Sequence, residues 1–245
     1  MRERPIMFSA PMVRAILAGK KTQTRRIIRP QPGVANPDAR GYFARPILGH
    51  GVPLEHVDPQ RRFGIDAAMD RRGEARSQWI PCPFGAPGDR LWVRETWCQA
   101  SDDAVGESDP QALDGRPLGP EDPDTGLRPF AYYRATDDFV VDADDEERSP
   151  WKSPIFMPRW ASRISLQITD VGFQRVQEIG DADARAEGVD LEQPVECVVN
   201  GERGLVQYLD ARTAFAHLWC HINGNFSWTS NPWVWVVTFE RLEAQ

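Results

Sequence analysis

Three short runs, two of them with a two-residue period, set the strongest limit on the fold. In "GAPGDRLWVRETW", Leu91, Val93 and Glu95 alternate with Trp92, Arg94 and Thr96 behind a Gly88-Asp89 turn. In "SRISLQITDVGF", Ile164, Leu166 and Ile168 point one way, and "NPWVWVVTFERL" is aromatic and β-branched. Alternation at that period describes strands with one buried face. "PIMF", the stretch from a turn at Lys20 to Ile28, and "FAYYRA" add further short strands.

Helical stripes are fewer. Met12, Val13, Ile16 and Leu17 form one, with Ser9 as N-cap and Gly19 as stop. "GDADARAEGV" reads as a short helix capped at or near Asp181 and stopped by Gly188. "GLVQYLDARTAFAHLWCHING" reads as the longest, with Leu205, Leu209, Phe215, Leu218, Trp219 and Ile222 near one face and Gly224 at its end. Many short strands with few short helices predict an α+β, mainly β fold, a small mixed β-barrel or α+β architecture.

The expectation for the 245 residues is a single domain, 1–245, with two long interruptions. One is a Pro/Gly-rich loop at about 30–80 and the other an acidic insertion at about 101–150. The net charge of −7 hides that division. Residues 101–150 carry 15 Asp/Glu against 4 Arg, a local net of −11, which leaves +4 on the rest. Residues 1–29 hold 8 Lys/Arg against Glu3 alone, a net of +7. A basic segment beside an acidic insert fits a polyanion site; charges that cancel around a folded surface fit the same numbers.

No run of 18 apolar residues occurs and "MRERPIMFSAPMVR" lacks a signal-peptide core, so a cytoplasmic protein without a membrane partner is expected. Cys82, Cys98, Cys197 and Cys220 form no CxxC pair and read as free thiols. The sequence does not fix the oligomeric state.

Only three of the 29 basic residues are lysine: Lys20, Lys21 and Lys152. An ammonium can lose its proton in a protein and a guanidinium effectively cannot, so the Lys20-Lys21 pair marks a candidate titratable amine. Drift in a surface loop is the plain alternative. "GKKT" is not a phosphate loop, because Arg14 stands at the first glycine position and Lys21 where Ser or Thr belongs. His217 and His221 have i, i+4 spacing, but Leu218 replaces the metalloprotease Glu, so two core-edge histidines are expected and no metal or cofactor. The nine tryptophans lie mostly beside polar or basic residues, as base stacking requires, although core and rim packing places tryptophan in the same way. "MPRWASR" gathers Arg159, Trp160 and Arg163 in one tract.

The order "GKKTQTRR", "PGDRLWVRETW", "MPRWASRISLQITDV", "DADARAEG", "NPWVWVVTFE" resembles the ASCH domain, a PUA-like β-barrel, and within it the longer phage- and prophage-associated members. The likeness spans nearly the whole chain outside residues 30–80 and 101–150. It implies recognition of RNA or modified nucleosides. Some small bacterial ASCH proteins hydrolyse N4-acetylcytidine with a lysine, a threonine and a glutamate. The segment from Ala18 to Arg26 matches the family's motif and makes Lys21 the lysine and Thr24 the threonine. Glu187 of "DARAEGV" matches the glutamate. The small amidohydrolases lack the long loops present here.

The chemistry stands beside the resemblance. A threonine hydroxyl needs a base to become a nucleophile, and a lysine serves if burial or nearby cations lower its pKa. Lys20, Arg25 and Arg26 supply such cations. The expected catalytic set is Lys21, Thr24 and Glu187, with Lys20, Arg25, Arg26, Arg159 and Trp160 as candidate ligand- or nucleic-acid-binding residues. The expected pocket lies between the helix ending at Gly19 and the barrel. A structural Lys21–Glu187 ion pair beside Thr24 is the competing reading. The expected partner is a nucleoside or RNA, with DNA as the variant of a non-catalytic binding module. A phage interaction or assembly protein using the acidic insert is the third alternative.

Overall fold

The computed structural model describes residues 1–29, 31, 45–46, 63–66, 77–100, 116–124, 126, 128–137, 151–192, 195–199 and 202–243. Its elements, in chain order, are β1 (Glu3–Met7), α1 (Ala10–Leu17), β2 (Gln23–Ile27), β3 (Arg45–Pro46), β4 (Phe63–Asp66) and β5 (Ser77–Ile80). They continue with β6 (Arg90–Arg94), β7 (Trp97–Ala100), β8 (Phe130–Tyr133), β9 (Ser165–Arg175), α2 (Asp181–Ala186), β10 (Val195–Val199), β11 (Glu202–Val206), α3 (Ala211–Asn223) and β12 (Trp233–Arg241). The fold is α+β and mainly β. Its largest sheet is mixed and open, in the order β1-β6-β9-β12-β2, and no closed barrel forms among the described residues.

The chain divides into two compact units. The first holds Met1–Gly19, Asp89–Gln167 and Glu240–Gln245. Here β1 runs parallel to β6, from Glu3 opposite Arg90 to Met7 opposite Arg94. The N-terminus of α1 is set by Ser9 in extended backbone and by Pro11 in the first turn, with no side-chain cap from Ser9. Its apolar stripe buries Val13 and Ile16, and Gly19 at φ +71° ends it in the left-handed region that glycine adopts without strain. β7 pairs antiparallel with β8 over a cluster of Trp97, Ala131, Tyr133, Met157 and Ala161, against which Trp160 packs.

The second unit holds Lys20–Gly88 and Ile168–Phe239. β2 pairs antiparallel with β12, from Gln23 opposite Thr238 to Ile27 opposite Val234. Val176, Ile179, Ala184, Ala211, Phe215, Trp219 and Val234 form its core, so α2 and α3 pack into one apolar cluster with β12. That packing fixes where the C-terminal end of α2 lies, and with it Glu187.

Three expectations are corrected and one is narrowed to a single residue. The longest helix begins at Ala211 rather than near Gly204, because Asp210 caps it by accepting the Thr213 N–H at 2.7 Å, and Glu202–Val206 is strand β11 instead. Leu209 and Ile222, expected on the buried face, are 99% and 53% exposed. The cap of α2, expected at or near Asp181, falls on the neighbouring Gly180, while the Asp181 carboxylate accepts the Ala211 N–H at 2.7 Å and an Arg185 bond at 3.1 Å. Strand β6 does not alternate cleanly, since Trp92 is buried along with Leu91 and Val93. The Pro/Gly-rich tract and the acidic segment lie largely outside the described residues.

Candidate functional site

The ends of β2 and α2 meet through backbone first. Lys21 forms an antiparallel bridge with Glu187, and the Thr22 N–H donates to the Ala186 carbonyl at 2.8 Å. Glu187 reaches this place because it caps α2, donating its N–H to Asp183 O at 2.9 Å, and Gly188 at φ +88° turns the chain away. Two residues 166 positions apart are thus opposed before their side chains are considered.

Their side chains complete the contact. Lys21 Nζ donates to Glu187 Oε2 at 2.8 Å and to the Glu187 carbonyl at 2.7 Å. No part of the Lys21 side chain is exposed, and Glu187 is only 5% exposed. The other carboxylate oxygen, Oε1, accepts from Arg25 at 3.2 Å. Arg25 in turn donates to Asp183 Oδ2 at 2.9 Å and to Gln23 Oε1 at 2.6 Å. With its amide turned so that the oxygen faces Arg25, Gln174 accepts two more bonds, at 2.8 and 3.1 Å. The Arg25 guanidinium also lies 5.9 Å from the Phe215 ring centre on α3.

Burial dominates the electrostatics. Desolvation pushes the Lys21 amine below its ordinary value, the Glu187 charge and hydrogen bond pull it back up, and the Arg26 and Arg25 charges push it down again. Arg26 is lowered by burial and partly restored by Glu187. Three cations therefore gather on one buried carboxylate and the half-exposed Asp183.

The structure brings Lys21, Arg25, Arg26 and Glu187 together and places Thr24, 3% exposed, on β2 opposite Val237. Strand alternation puts Thr24 and Arg26 on one face of β2 and Gln23 and Arg25 on the other. Lys20 is half exposed and pairs with Asp190 at 2.8 Å. Side-chain partners of the Lys21 pair come from β2 and α2, whereas the expected pocket drew on the helix ending at Gly19, which is α1.

Arg159 and Trp160 belong to the first unit. Arg159 makes two bonds to Glu3, at 2.8 and 3.0 Å, and Trp160 meets Trp97 edge-on at 5.9 Å. Arg163, from the same tract, grips buried Glu95 with two bonds of 2.9 and 3.0 Å, and burial raises the Glu95 carboxyl above its usual range. Of the nine tryptophans, Trp92, Trp97, Trp219, Trp233 and Trp235 are buried, so most of the described ones are packing groups.

Sequence reasoning missed Asp183, Gln23 and Gln174. Asp183 stands four residues before Glu187, one helical turn, and that spacing was the available signal. Among the described residues no cluster of three or more His, Cys, Asp or Glu is placed to hold a metal, and His217 lies against Tyr208 at 5.6 Å while His221 is exposed. Cys82, Cys98 and Cys220 are free thiols. No helix among the described residues is long and apolar enough to cross a membrane.

Comparison of the chain with models of known protein families, with curated proteins and with solved structures finds no match.

Proposed function

We propose that the chain is a nucleoside- or RNA-recognising protein of the PUA-like, ASCH type that hydrolyses an amide on a modified base such as N4-acetylcytidine. One observation supports the reading: a buried lysine, hydrogen-bonded to Glu187 at 2.8 Å and pushed below its ordinary pKa by burial, stands two residues before the strand that carries Thr24. Burial and two nearby guanidinium groups favour the neutral amine, the form a general base requires.

In the reaction, neutral Lys21 takes the Thr24 hydroxyl proton as Oγ1 bonds to the amide carbonyl carbon. The C–N bond then breaks, Lys21 returns that proton to the departing nitrogen, and the acyl group remains on Thr24 as an ester. Water, deprotonated by Lys21, releases the acid and restores the hydroxyl. Glu187 orients the amine through Oε2, and Arg25 orients Glu187 through Oε1.

A second reading, a binding module without chemistry, has its own observation. Neither Lys21 nor Arg25 exposes any side-chain surface, which suits a latch between β2 and α2 as well as a reacting amine. Chromatography of N4-acetylcytidine incubated with wild type, Lys21→Ala and Thr24→Val separates the two. Release of cytidine by wild type alone supports hydrolysis. Absence of release by a folded wild-type protein overturns it for this substrate and leaves the binding module. Thr24→Val keeps the shape and removes only the hydroxyl, so its test does not depend on the buried ion pair.

A further inference from the structure

The first unit holds an apolar patch outward through its own fold. Ile155 and Phe156 close a single 3-10 turn, Pro154–Phe156, and are 56% and 73% exposed. The turn is pinned at two points. Met157 is buried just behind it, its Sδ accepting the Glu95 N–H at 3.3 Å, and Arg94 Nη1 donates to the Ile155 carbonyl at 3.1 Å. Pro154 and Pro158 restrict the backbone on either side. Met7, 48% exposed, stands beside Arg94 in the β1–β6 register, so one arginine adjoins both Met7 and Ile155. Single exposed apolar residues are ordinary, whereas three gathered at one fixed place mark an interaction surface.

The surroundings choose the partner by charge. Residues 90–97 and 151–163 carry Arg90, Arg94, Lys152, Arg159 and Arg163 against Glu95 alone, and buried Glu95 is taken up by Arg163. Base stacking needs open ring faces, and the indoles here are covered by cations. Trp92, 8% exposed, faces Arg94 at 4.6 Å and Arg159 at 5.8 Å, and buried Trp97 faces Lys152 at 5.2 Å. Arg134 stands 5.9 Å from the Trp151 ring in the same way. What the patch exposes is two aliphatic side chains and one phenyl ring inside a basic rim. A second copy of the chain fits poorly, because a twofold contact sets this basic surface against itself. Carboxylates interspersed with bulky apolar side chains complement both features.

We propose that this face docks an acidic segment of a partner protein, with apolar side chains packed on Ile155, Phe156 and Met7 and carboxylates paired with Arg94, Arg134 and Lys152. The pinned turn lowers the ordering cost of binding, and Phe156 is the anchor on this side. The surface is independent of the Lys21–Glu187 pair, which belongs to the second unit.

The test is selection of a displayed library of random dodecapeptides on the full chain, followed by fluorescence anisotropy of the selected peptides. Wild type, Phe156→Ser and Lys152→Glu are compared, with Phe226→Ser in the second unit as control, since Phe226 is also exposed. Circular dichroism follows folding, and the two test variants are independent, so one suffices if the other unfolds. The selected peptides are expected to place Asp and Glu around Leu, Ile, Phe or Trp. Phe156→Ser and Lys152→Glu are each expected to weaken them at least tenfold, and Phe226→Ser to leave them unchanged. No enrichment overturns the proposal, as do enriched peptides that are neutral or basic. Affinities indifferent to both test variants overturn it as well. An oligouridylate of equal length that competes at equal or better affinity would assign the face to nucleic acid instead. Self-association of the chain that Phe156→Ser abolishes would assign it to a second copy.

Discussion

Lys21 and Glu187 are joined twice, by an antiparallel backbone bridge and by the Lys21 Nζ, which lies 2.8 Å from Oε2 and 2.7 Å from the carbonyl. The two links share one geometry, since each holds the other in register. Removing one member of a buried ion pair strands the other, at a cost of about 3–5 kcal/mol.

The two ends of the pair are not equivalent. Lys21→Ala leaves Glu187 with Arg25 as a partner, whereas Glu187→Ala leaves both Lys21 and Arg25 without their shared carboxylate. Glu187→Ala is therefore expected to be the more destabilising, with Lys21→Ala costing about 3–5 kcal/mol in urea unfolding. Equal losses would show that Arg25 contributes nothing to holding Glu187.

The neighbouring lysines should behave differently. Lys20 is 56% exposed in its pair with Asp190, where solvent screens the attraction, so Lys20→Ala should leave Tm close to wild type. Lys21→Ala should lower it clearly. Thermal melts of both variants, run side by side, check this. A comparable fall for Lys20→Ala would place a buried role on the wrong lysine.

The depressed Lys21 pKa gives a pH dependence of definite sign. The folded state holds that proton less tightly than the unfolded chain, whose lysine titrates near 10.5. Between the depressed value and 10.5 the unfolded state binds more protons, so stability rises with pH through that window. Any hydrolysis should rise with pH in the same sense, with an apparent pKa below 10.5, and both trends should vanish in Lys21→Met. Denaturant midpoints and initial rates across the alkaline range measure them. A rate that still climbs above 10.5 would exclude Lys21 as the base.

How much of this was legible in the sequence depends on the type of signal. Strand β9 was readable because a two-residue period survives in Leu166 and Ile168, and β12 because its residues are aromatic and β-branched. The start of α3 was misread because Leu205 and Leu209 have the spacing of a helical face while belonging to a strand and a turn. Two local signals pointed the other way. Asp210 stands three residues before Thr213 as a helix cap does, and Asn200-Gly201 directly after Val198-Val199 is a hairpin cue. Strands β10 and β11 pair antiparallel, with Val195 opposite Val206. Nothing local pairs Lys21 with Glu187, since that contact depends on α2 packing against α3; the pair was expected only through the resemblance to ASCH domains. The tryptophans failed for a related reason: polar neighbours along the chain do not report what lies across it.

In the first unit, Arg163 and Glu95 supply a second test of buried charge. The raised Glu95 pKa means that the folded state holds this proton more tightly than the unfolded chain does. Its contribution is full below the ordinary 4.5 and is lost as pH rises through the raised value. Arg163→Ala removes both bonds to the carboxylate, for about 3–5 kcal/mol at neutral pH. At pH 4 the protonated Glu95 carries no charge, so the loss should shrink to the packing over Tyr133 and the bond to Thr136. Urea midpoints at the two pH values decide it. An equal loss at both would mean that Arg163 acts through packing alone.

Gly119 tests whether Trp160 is a wall of the first unit. A Cβ built at Gly119 would lie 2.6 Å from Pro129 Cγ and 3.0 and 3.2 Å from two atoms of the Trp160 ring. The backbone cannot easily retreat, because the Gly119 N–H donates to Pro129 O at 2.7 Å and its carbonyl accepts from Arg128 at 3.0 Å. Trp160 is itself set against Trp97 at 88°, so it has little room to yield. Gly119→Ala should therefore cost about 1–3 kcal/mol by overpacking. Trp160→Leu should relieve much of that cost in the double variant, since the two sites touch and their effects will not add. Additive losses in a double-mutant cycle would mean that Trp160 is free to swing outward, which is what a base-stacking role would require of it.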